Sequence, residues 1–289
     1  MTRAASLPGP SRTPVVTLPT PSVGRPGGLQ AHSTRLAAVR SGEIGSVHSW
    51  ELVTAVDGPG TRLTYFLSGC ALRCQYCQNP DTWKLPDGKP TTIGEVRGRI
   101  DRYAPLLRVA HGGLTISGGE PLVQPAFLRR ILRHCRELGL HTALDTSGYL
   151  GARADDAMLD DIDLVLLDVK SGLPETYRLV TGRELAPTLA FGRRLADRDA
   201  EIWIRFVLVP GLTDAVDNVD AVADYAASLQ GLGNGGAVRR VEILPFHQMA
   251  RSKWHALEIV YPLEDTRPPD EALIERVRGQ FRARGLTVF

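Results

Sequence analysis

The sequence has little cysteine, no long apolar run and no acid in its first 42 residues. Four cysteines in 289 residues are too few for a disulfide framework. No stretch approaches the roughly 20 consecutive apolar residues a membrane helix needs. No secretory h-region stands near the N-terminus either. The expectation is a soluble, cytoplasmic protein in a reducing compartment, with no membrane partner. Residues 1 to 42 hold five arginines, at positions 3, 12, 25, 35 and 40, and no Asp or Glu. Setting those five aside leaves 29 basic against 32 acidic residues, so the formal +2 of the chain hides a slightly acidic body. Such a body gives no electrostatic case for nucleic acid. Residues 1 to 43 carry six prolines and five glycines among many Ser and Thr, and are expected to be a disordered extension. They have the composition of a transit peptide but no sustained amphipathic helix. The ordered domain is expected over residues 44 to 289.

Three of the four cysteines stand together, as Cys70, Cys74 and Cys77, in the spacing C-x3-C-x2-C. Three soft thiolates on one short loop suit an iron–sulfur cluster or zinc. A structural zinc site is closed by four protein ligands, whereas three ligands leave a coordination position open for chemistry. A fourth zinc ligand would have to be Cys135 or a histidine. Cys135 lies between Ile131 and Leu138 on an apolar helix face, where core packing is its expected role.

The remaining pattern alternates short apolar strands with amphipathic helices. Strands are expected at residues 63–67, 113–117, 141–144, 164–167, 202–209 and 241–244, with helices such as 270–284 between or after them. Six βα units in roughly 245 residues predict one α/β domain, a partial (β/α)6 barrel related to the TIM type. Its polar and glycine motifs all follow strands, on the C-terminal face where barrels build active sites. The run Gly231 to Gly236 fits G-x-G-x-x-G, but it follows a helix and precedes a strand, so it reads as a connection and not a dinucleotide site.

The cysteine triplet with Tyr76 before its last member, followed by Gly118-Gly119-Glu120, resembles the radical S-adenosylmethionine superfamily. Within it the chain is most similar to pyruvate formate-lyase activating enzymes. The likeness is carried by GSVHS at 45–49, TAVDGPGTR at 54–62, CQNPDTW at 77–83, SGGEP at 117–121, LDTSG at 144–148, DLVLLDVK at 163–170, IWIRFVLVPG at 202–211 and ILPFHQMARSKW at 243–254.

That resemblance implies a radical SAM fold and a [4Fe-4S] cluster on Cys70, Cys74 and Cys77, with S-adenosylmethionine at the open iron. It implies one-electron cleavage to methionine and a 5′-deoxyadenosyl radical, which takes a hydrogen atom and leaves as 5′-deoxyadenosine. The target implied is a backbone glycine of pyruvate formate-lyase (formate acetyltransferase). Beside the cofactor it implies Tyr76, Gln78, Gly118, Gly119, Glu120, Asp168, Val169, Lys170, Arg205 and His247. Lys170 is counted with the catalytic group, and the Glu120 carboxylate is expected against the methionine ammonium. Asp57 is expected near the incoming glycyl peptide. Asp145, Thr146, Asp168 and the Leu166 carbonyl match a site for a monovalent cation, Na+ or K+. The electron donor implied is a reduced flavodoxin or ferredoxin, and the chain is expected to be a monomer. Function under anaerobic or microaerobic conditions follows from an exposed cluster.

Two departures stand out. Gln78 occupies a position where many family members have His, and an amide cannot titrate as imidazole does. Thr61 replaces an aliphatic residue. Residues 78 to 112 hold no cysteine, so the ferredoxin-like insert of many other glycyl-radical activases is absent. The rivals are activation of a different glycyl-radical enzyme, a non-catalytic iron–sulfur redox protein, and a zinc module.

Overall fold

The computed structural model describes residues 34–54, 57–232 and 237–289. Residues 233–236 of the Gly231 to Gly236 run, and residues 1–33, lie outside them. Residues 34–40 form a helix, α1, inside the stretch expected to be irregular. Its Leu-Ala-Ala core has high helix propensity, and it stops at Gly42, whose φ is 75°.

Eight strands make one sheet in the order β3-β1-β2-β4-β5-β6-β7-β8. They are β1 (Ile44–Thr54), β2 (Thr61–Leu67), β3 (Lys89–Thr92), β4 (Gly113–Gly118), β5 (His141–Thr146), β6 (Leu164–Asp168), β7 (Glu201–Leu208) and β8 (Val238–Pro245). β2 and β4 to β8 run parallel, which is the expected set of six. β1 and β3 are additional, antiparallel strands at one edge. The pattern did not reveal them because β1 is interrupted by a bulge between Val47 and Ser49, which breaks the two-residue alternation. β3 is four residues with a proline, tolerated only at an edge. β3 and β8 do not pair, so the barrel is open. The outer side of β8 is instead lined by the C-terminal residues, through Val241 N–H to Thr287 O and Ile243 N–H to Phe289 O.

The helices are α2 (Ile93–Val109), α3 (Pro125–Glu137), α4 (Asp156–Leu159), α5 (Pro174–Thr181), α6 (Ala186–Asp197), α7 (Val216–Gln230), α8 (Arg251–Ala256) and α9 (Glu271–Arg282). Their starts follow the sequence: Thr92 and Glu95 form a capping box on α2, and Asp270 caps α9. The main core lies between these helices and the sheet. It includes Phe127, Ile131, Leu132 and Cys135 from α3, so Cys135 has the packing role expected of it. A second apolar cluster, built on Leu72, Cys74, Tyr76, Phe246, Trp254 and Tyr261, stands behind the cysteine loop. No helix among the described residues is long and apolar enough to cross a membrane.

Candidate active site at the strand ends

The parallel register brings the motifs to one edge. Leu67, the last residue before the loop, pairs with Gly118. Asp145 pairs with Leu166, Asp168 with Arg205, and Arg205 with Glu242. Residues far apart in sequence thus share one rim because parallel strands in register end together.

The cysteine loop is held from several sides. Gly69 and Cys70 N–H groups donate to Thr82 O and Trp83 O, at 2.7 and 3.0 Å. Arg73 and Gln75 N–H groups donate to Thr181 O and Val180 O at the end of α5, at 2.9 and 3.0 Å. Trp254 Nε1–H donates to Cys77 O at 2.9 Å. Trp83 meets Trp254 edge-on at 5.1 Å, and Trp254 packs on Tyr261 at 5.0 Å. Lys253 Nζ reaches Asn79 Oδ1 at 2.8 Å and Asp81 at 3.1 Å, and Asp81 also meets His48 at 3.0 Å. Gln78 Nε2–H donates to Tyr76 O and His247 O, at 3.2 and 3.4 Å.

All three loop thiols are free and sit against the second apolar cluster. Burial, with Glu120 adding to it, pushes the Cys70 thiol up to about 12. Burial likewise raises Cys74 and Cys77. Loading a cluster would therefore release protons from this loop. Cys135 belongs to the main core and does not join them. Three soft donors backed by an aromatic wall fit a [4Fe-4S] cluster: the donor set is right, and the wall keeps water from its inner side. Among the described residues no three His, Cys, Asp or Glu side chains are gathered tightly enough for a single metal ion.

The glycines of Gly118-Gly119-Glu120 meet the chain itself. Gly118 has φ 119°, and a Cβ on Gly119 would stand 2.5 Å from Gly69 O. Gly119 N–H donates to Leu67 O and Glu120 N–H to Gly69 O, at 2.8 and 2.9 Å. Glu120 is 1% exposed. Its carboxylate accepts from Thr146 Oγ1 at 2.7 Å, from Ser147 N and Oγ, and from Leu122 N at 3.2 Å. Both oxygens accept hydrogen bonds within the chain, so this carboxylate braces β4 against the end of β5. Thr146 Oγ1, which donates to Glu120, also accepts from Gly148 N–H at 3.0 Å.

The charged residues form a buried constellation. Lys170 Nζ donates to Asp168 Oδ2 at 2.7 Å, and its ammonium lies 5.7 Å over the Tyr76 ring. Burial alone would lower the Lys170 pKa, but Asp168 and the other anionic neighbours raise it well above normal. Arg205 stands 3.3 Å from Asp145, 3.4 Å from Glu242 and 4.0 Å from Asp57. Asp145 also accepts from Ser117 Oγ at 2.5 Å. Burial pushes the Asp145 carboxyl up to about 6, with Arg205 opposing. Four carboxylates thus face two cations. Asp145 Oδ1, Arg205 Nε and the Tyr76 hydroxyl are buried without a hydrogen-bond partner in the chain. Asp145 Oδ1 and Arg205 Nε do meet ion-pair partners, at 3.3 and 3.4 Å, but a rim short of hydrogen bonds is one that a polar ligand would satisfy. Val169 is buried behind Lys170, and His247 is exposed on the rim.

The sequence reading missed Glu242, Trp83 and Trp254 as site residues. Glu242 follows the alternation of β8, and its register with Arg205 was the only available signal. The two tryptophans lie within quoted motifs but are brought together only by the fold.

The loop and rim define a class first: an iron–sulfur protein on a radical S-adenosylmethionine fold. A family model described as a 4Fe-4S single cluster domain matches residues 56–176. The fold is shared with a radical SAM methyltransferase from Sphaerobacter thermophilus, at a TM-score of 0.58 and 18% identity, covering 92% of this chain and 81% of that one. The chain is 36% identical over 240 residues to the pyruvate formate-lyase 1-activating enzyme of Escherichia coli strain K12, covering 82% of this chain and 94% of that protein. It is 39% identical over 228 residues to the pyruvate formate-lyase-activating enzyme of Clostridium pasteurianum, covering 79% and 93%. The chain belongs to the family of pyruvate formate-lyase-activating enzymes. It is accordingly an enzyme of the activating type, with an iron–sulfur cluster and S-adenosylmethionine as cofactors.

Proposed function

We propose that this chain activates a glycyl-radical enzyme, pyruvate formate-lyase, by removing one hydrogen atom from a backbone glycine. The observation that carries this reading is the set of three loop thiols with no fourth cysteine beside them, standing next to a rim of buried charged side chains at the strand ends. Cys70, Cys74 and Cys77 would hold the [4Fe-4S] cluster. When bound, cluster and S-adenosylmethionine together supply one-electron cleavage of the sulfonium C–S bond and hydrogen abstraction.

The chain's own residues bind, orient and shield. Lys170, fixed by Asp168, offers a cation to the methionine carboxylate. Asp168 and Arg205 flank it from neighbouring strands, with Glu242 behind Arg205. Gly118, Gly119 and Glu120 would border the methionine amine. The excess of negative charge at the rim favours both the sulfonium and a monovalent cation near Asp145, Asp168 and the Leu166 carbonyl. Thr146 would complete that oxygen set. Asp57, on the turn before β2, and His247, on the rim, border the side from which a peptide loop enters the open barrel. The aromatic wall of Tyr76, Trp83, Trp254 and Tyr261 keeps water from the loop. The chain acts as a monomer in the cytoplasm, with a reduced flavodoxin or ferredoxin as donor.

The test is anaerobic. Reconstituted protein, photoreduced deazaflavin, S-adenosylmethionine and pyruvate formate-lyase are mixed and followed by EPR. The expected result is a glycyl doublet on the partner with 5′-deoxyadenosine formed alongside. Formation of 5′-deoxyadenosine with no glycyl radical on pyruvate formate-lyase, but with one on another glycyl-radical enzyme, would reassign the partner.

A further inference from the structure

Arg205 lies where three parts of the chain meet, and each of its nitrogens faces a different carboxylate. Nη1 is 3.3 Å from Asp145 on β5, Nη2 is 4.0 Å from Asp57 on the turn before β2, and Nε is 3.4 Å from Glu242 on β8. All three distances exceed the roughly 2.7–2.9 Å of a charge-assisted hydrogen bond. The guanidinium is therefore shared among three anions and committed to none. With Asp145 and Asp57 alone it would close on one of them, because a short fork-to-carboxylate pair is the strongest arrangement open to an arginine. Glu242 pulls on the Nε end and prevents this.

Glu242 can do so because it is itself held. Its Oε2 faces Arg205, while its Oε1 meets Arg240 Nε at 3.0 Å. Positions 240 and 242 alternate onto one face of β8, so one carboxylate bridges two arginines. The Arg240 guanidinium is in turn clamped between two rings, 4.5 Å from the centre of Trp203 and 4.1 Å from that of Phe289. Both sides of the clamp are tied down. Trp203 Nε1–H donates to Glu201 Oε1 at 3.0 Å. Phe289 N–H donates to Val241 O at 2.9 Å, and Phe289 O accepts from Ile243 N–H at 3.1 Å. Arg205 Nε and Arg240 Nε are buried without a hydrogen-bond partner in the chain, so charge and stacking fix this line of side chains.

We infer that Glu242, seated by the clamped Arg240, is a positioning residue: it holds the Arg205 guanidinium off Asp145, so that the Nη2 end stays free beside Asp57 to donate to a backbone carbonyl of the incoming glycyl peptide. The inference rests on the reading given under Proposed function. Glu242 touches neither peptide nor cofactor and acts through Arg205. Without its charge, Arg205 closes on Asp145 and the peptide loses a donor.

The probe is a peptide with the target glycine of pyruvate formate-lyase and its flanking residues. Its Kd is read by fluorescence anisotropy on the cluster-loaded full chain with S-adenosylmethionine. Its KM and kcat come from peptide-dependent 5′-deoxyadenosine formation with photoreduced deazaflavin. E242Q keeps the shape of the side chain and is expected to raise Kd and KM about 10-fold, while kcat falls about 3-fold at most. R240M keeps an apolar side chain between the rings but leaves Glu242 unsupported, and should raise Kd about 3-fold. It keeps the test decisive if E242Q loses its cluster. Adding E242Q to R205K should raise Kd less than about 2-fold beyond R205K alone, since a residue that acts through Arg205 has nothing further to lose. D161N neutralises another buried carboxylate, paired with Arg133 at 3.1 Å ahead of β6. It should lower the melting temperature and leave Kd within about 2-fold. The inference is overturned if cluster-loaded E242Q, or R240M where E242Q does not load, binds the peptide like the native chain. It is equally overturned if the E242Q effect adds in full to that of R205K, or if D161N weakens binding as much as E242Q. A native chain that neither binds the peptide nor places a radical on it would overturn the activase reading and this inference with it; variants that match a working native chain overturn this inference alone.

Discussion

Arg62 carries a charge into the core with no carboxylate bonded to it. It is 0% exposed, and burial pulls its pKa down to about 10. Its Nε–H donates to Thr115 Oγ1 at 2.9 Å, and that hydroxyl donates to Asp57 O at 2.7 Å. A buried charge is costly, and here it braces the turn that carries Asp57. The other end of the guanidinium meets His141 Nδ1 at 3.1 Å and the Leu114 carbonyl. Nδ1 must accept there, so His141 is neutral. Burial first, then Arg62, pulls its pKa below the usual 6.5, while Asp163 and Glu201 act the other way. As pH falls below about 6.5 the unfolded chain takes up this proton before the folded one does. The His141 contribution is therefore complete above that pH and is lost as pH falls through the folded value. Denaturant midpoints measured from pH 8 to pH 5 should fall, and H141Q, which keeps an acceptor for Arg62, should flatten that part of the profile. An identical slope in H141Q would contradict this account. Asp57 was legible in the sequence, because its turn motif is quoted whole. The role of Arg62 was not, because an arginine in a Gly/Pro turn reads as surface until the fold closes over it.

The end of β4 shows how an element is fitted to its site. The family resemblance sets Gly118 and Gly119 beside the cofactor. The structure gives them a prior duty: β4 must end against the cysteine loop, and a Cβ on Gly119 would meet Gly69 O at 2.5 Å and Thr82 O at 3.0 Å. Both are backbone atoms that cannot swing aside. G119A should therefore cost on the order of 2 kcal/mol or more and displace the loop. Thermal melts should shift down, and iron bound per chain after anaerobic reconstitution should drop below that of the native protein. Native iron content in a stable G119A protein would show that β4 and the loop are not coupled in this way. The same scale explains what the pattern missed. Among the parallel strands β6 is a continuous apolar run up to Asp168, and continuous runs are legible. β1 was not, because a bulge and an exposed face leave it with too few alternating apolar positions.

At the scale of the whole molecule, an open sheet sets one cysteine loop between two apolar bodies. The main core fixes the strands, and the second cluster, drawn from loop 70–83, α5 and the segment after β8, fixes the loop. The cysteine loop and the rim residues were visible in the sequence as motifs because each follows its own strand. The sequence did not reveal the second cluster, since Trp83 meets Trp254 only through a long-range contact. Nor did it reveal that the Glu120 carboxylate ties β4 to Thr146, Ser147 and Leu122. The division between the two bodies makes the central claim measurable, because it separates Cys135 from the other three cysteines. Four single variants, C70A, C74A, C77A and C135A, should be reconstituted anaerobically and assayed for iron and sulfide per chain and for 5′-deoxyadenosine. The account predicts that C135A keeps a full cluster and turnover, while each of the other three loses both. A C135A protein without its cluster, or a C74A protein with full activity, would contradict it.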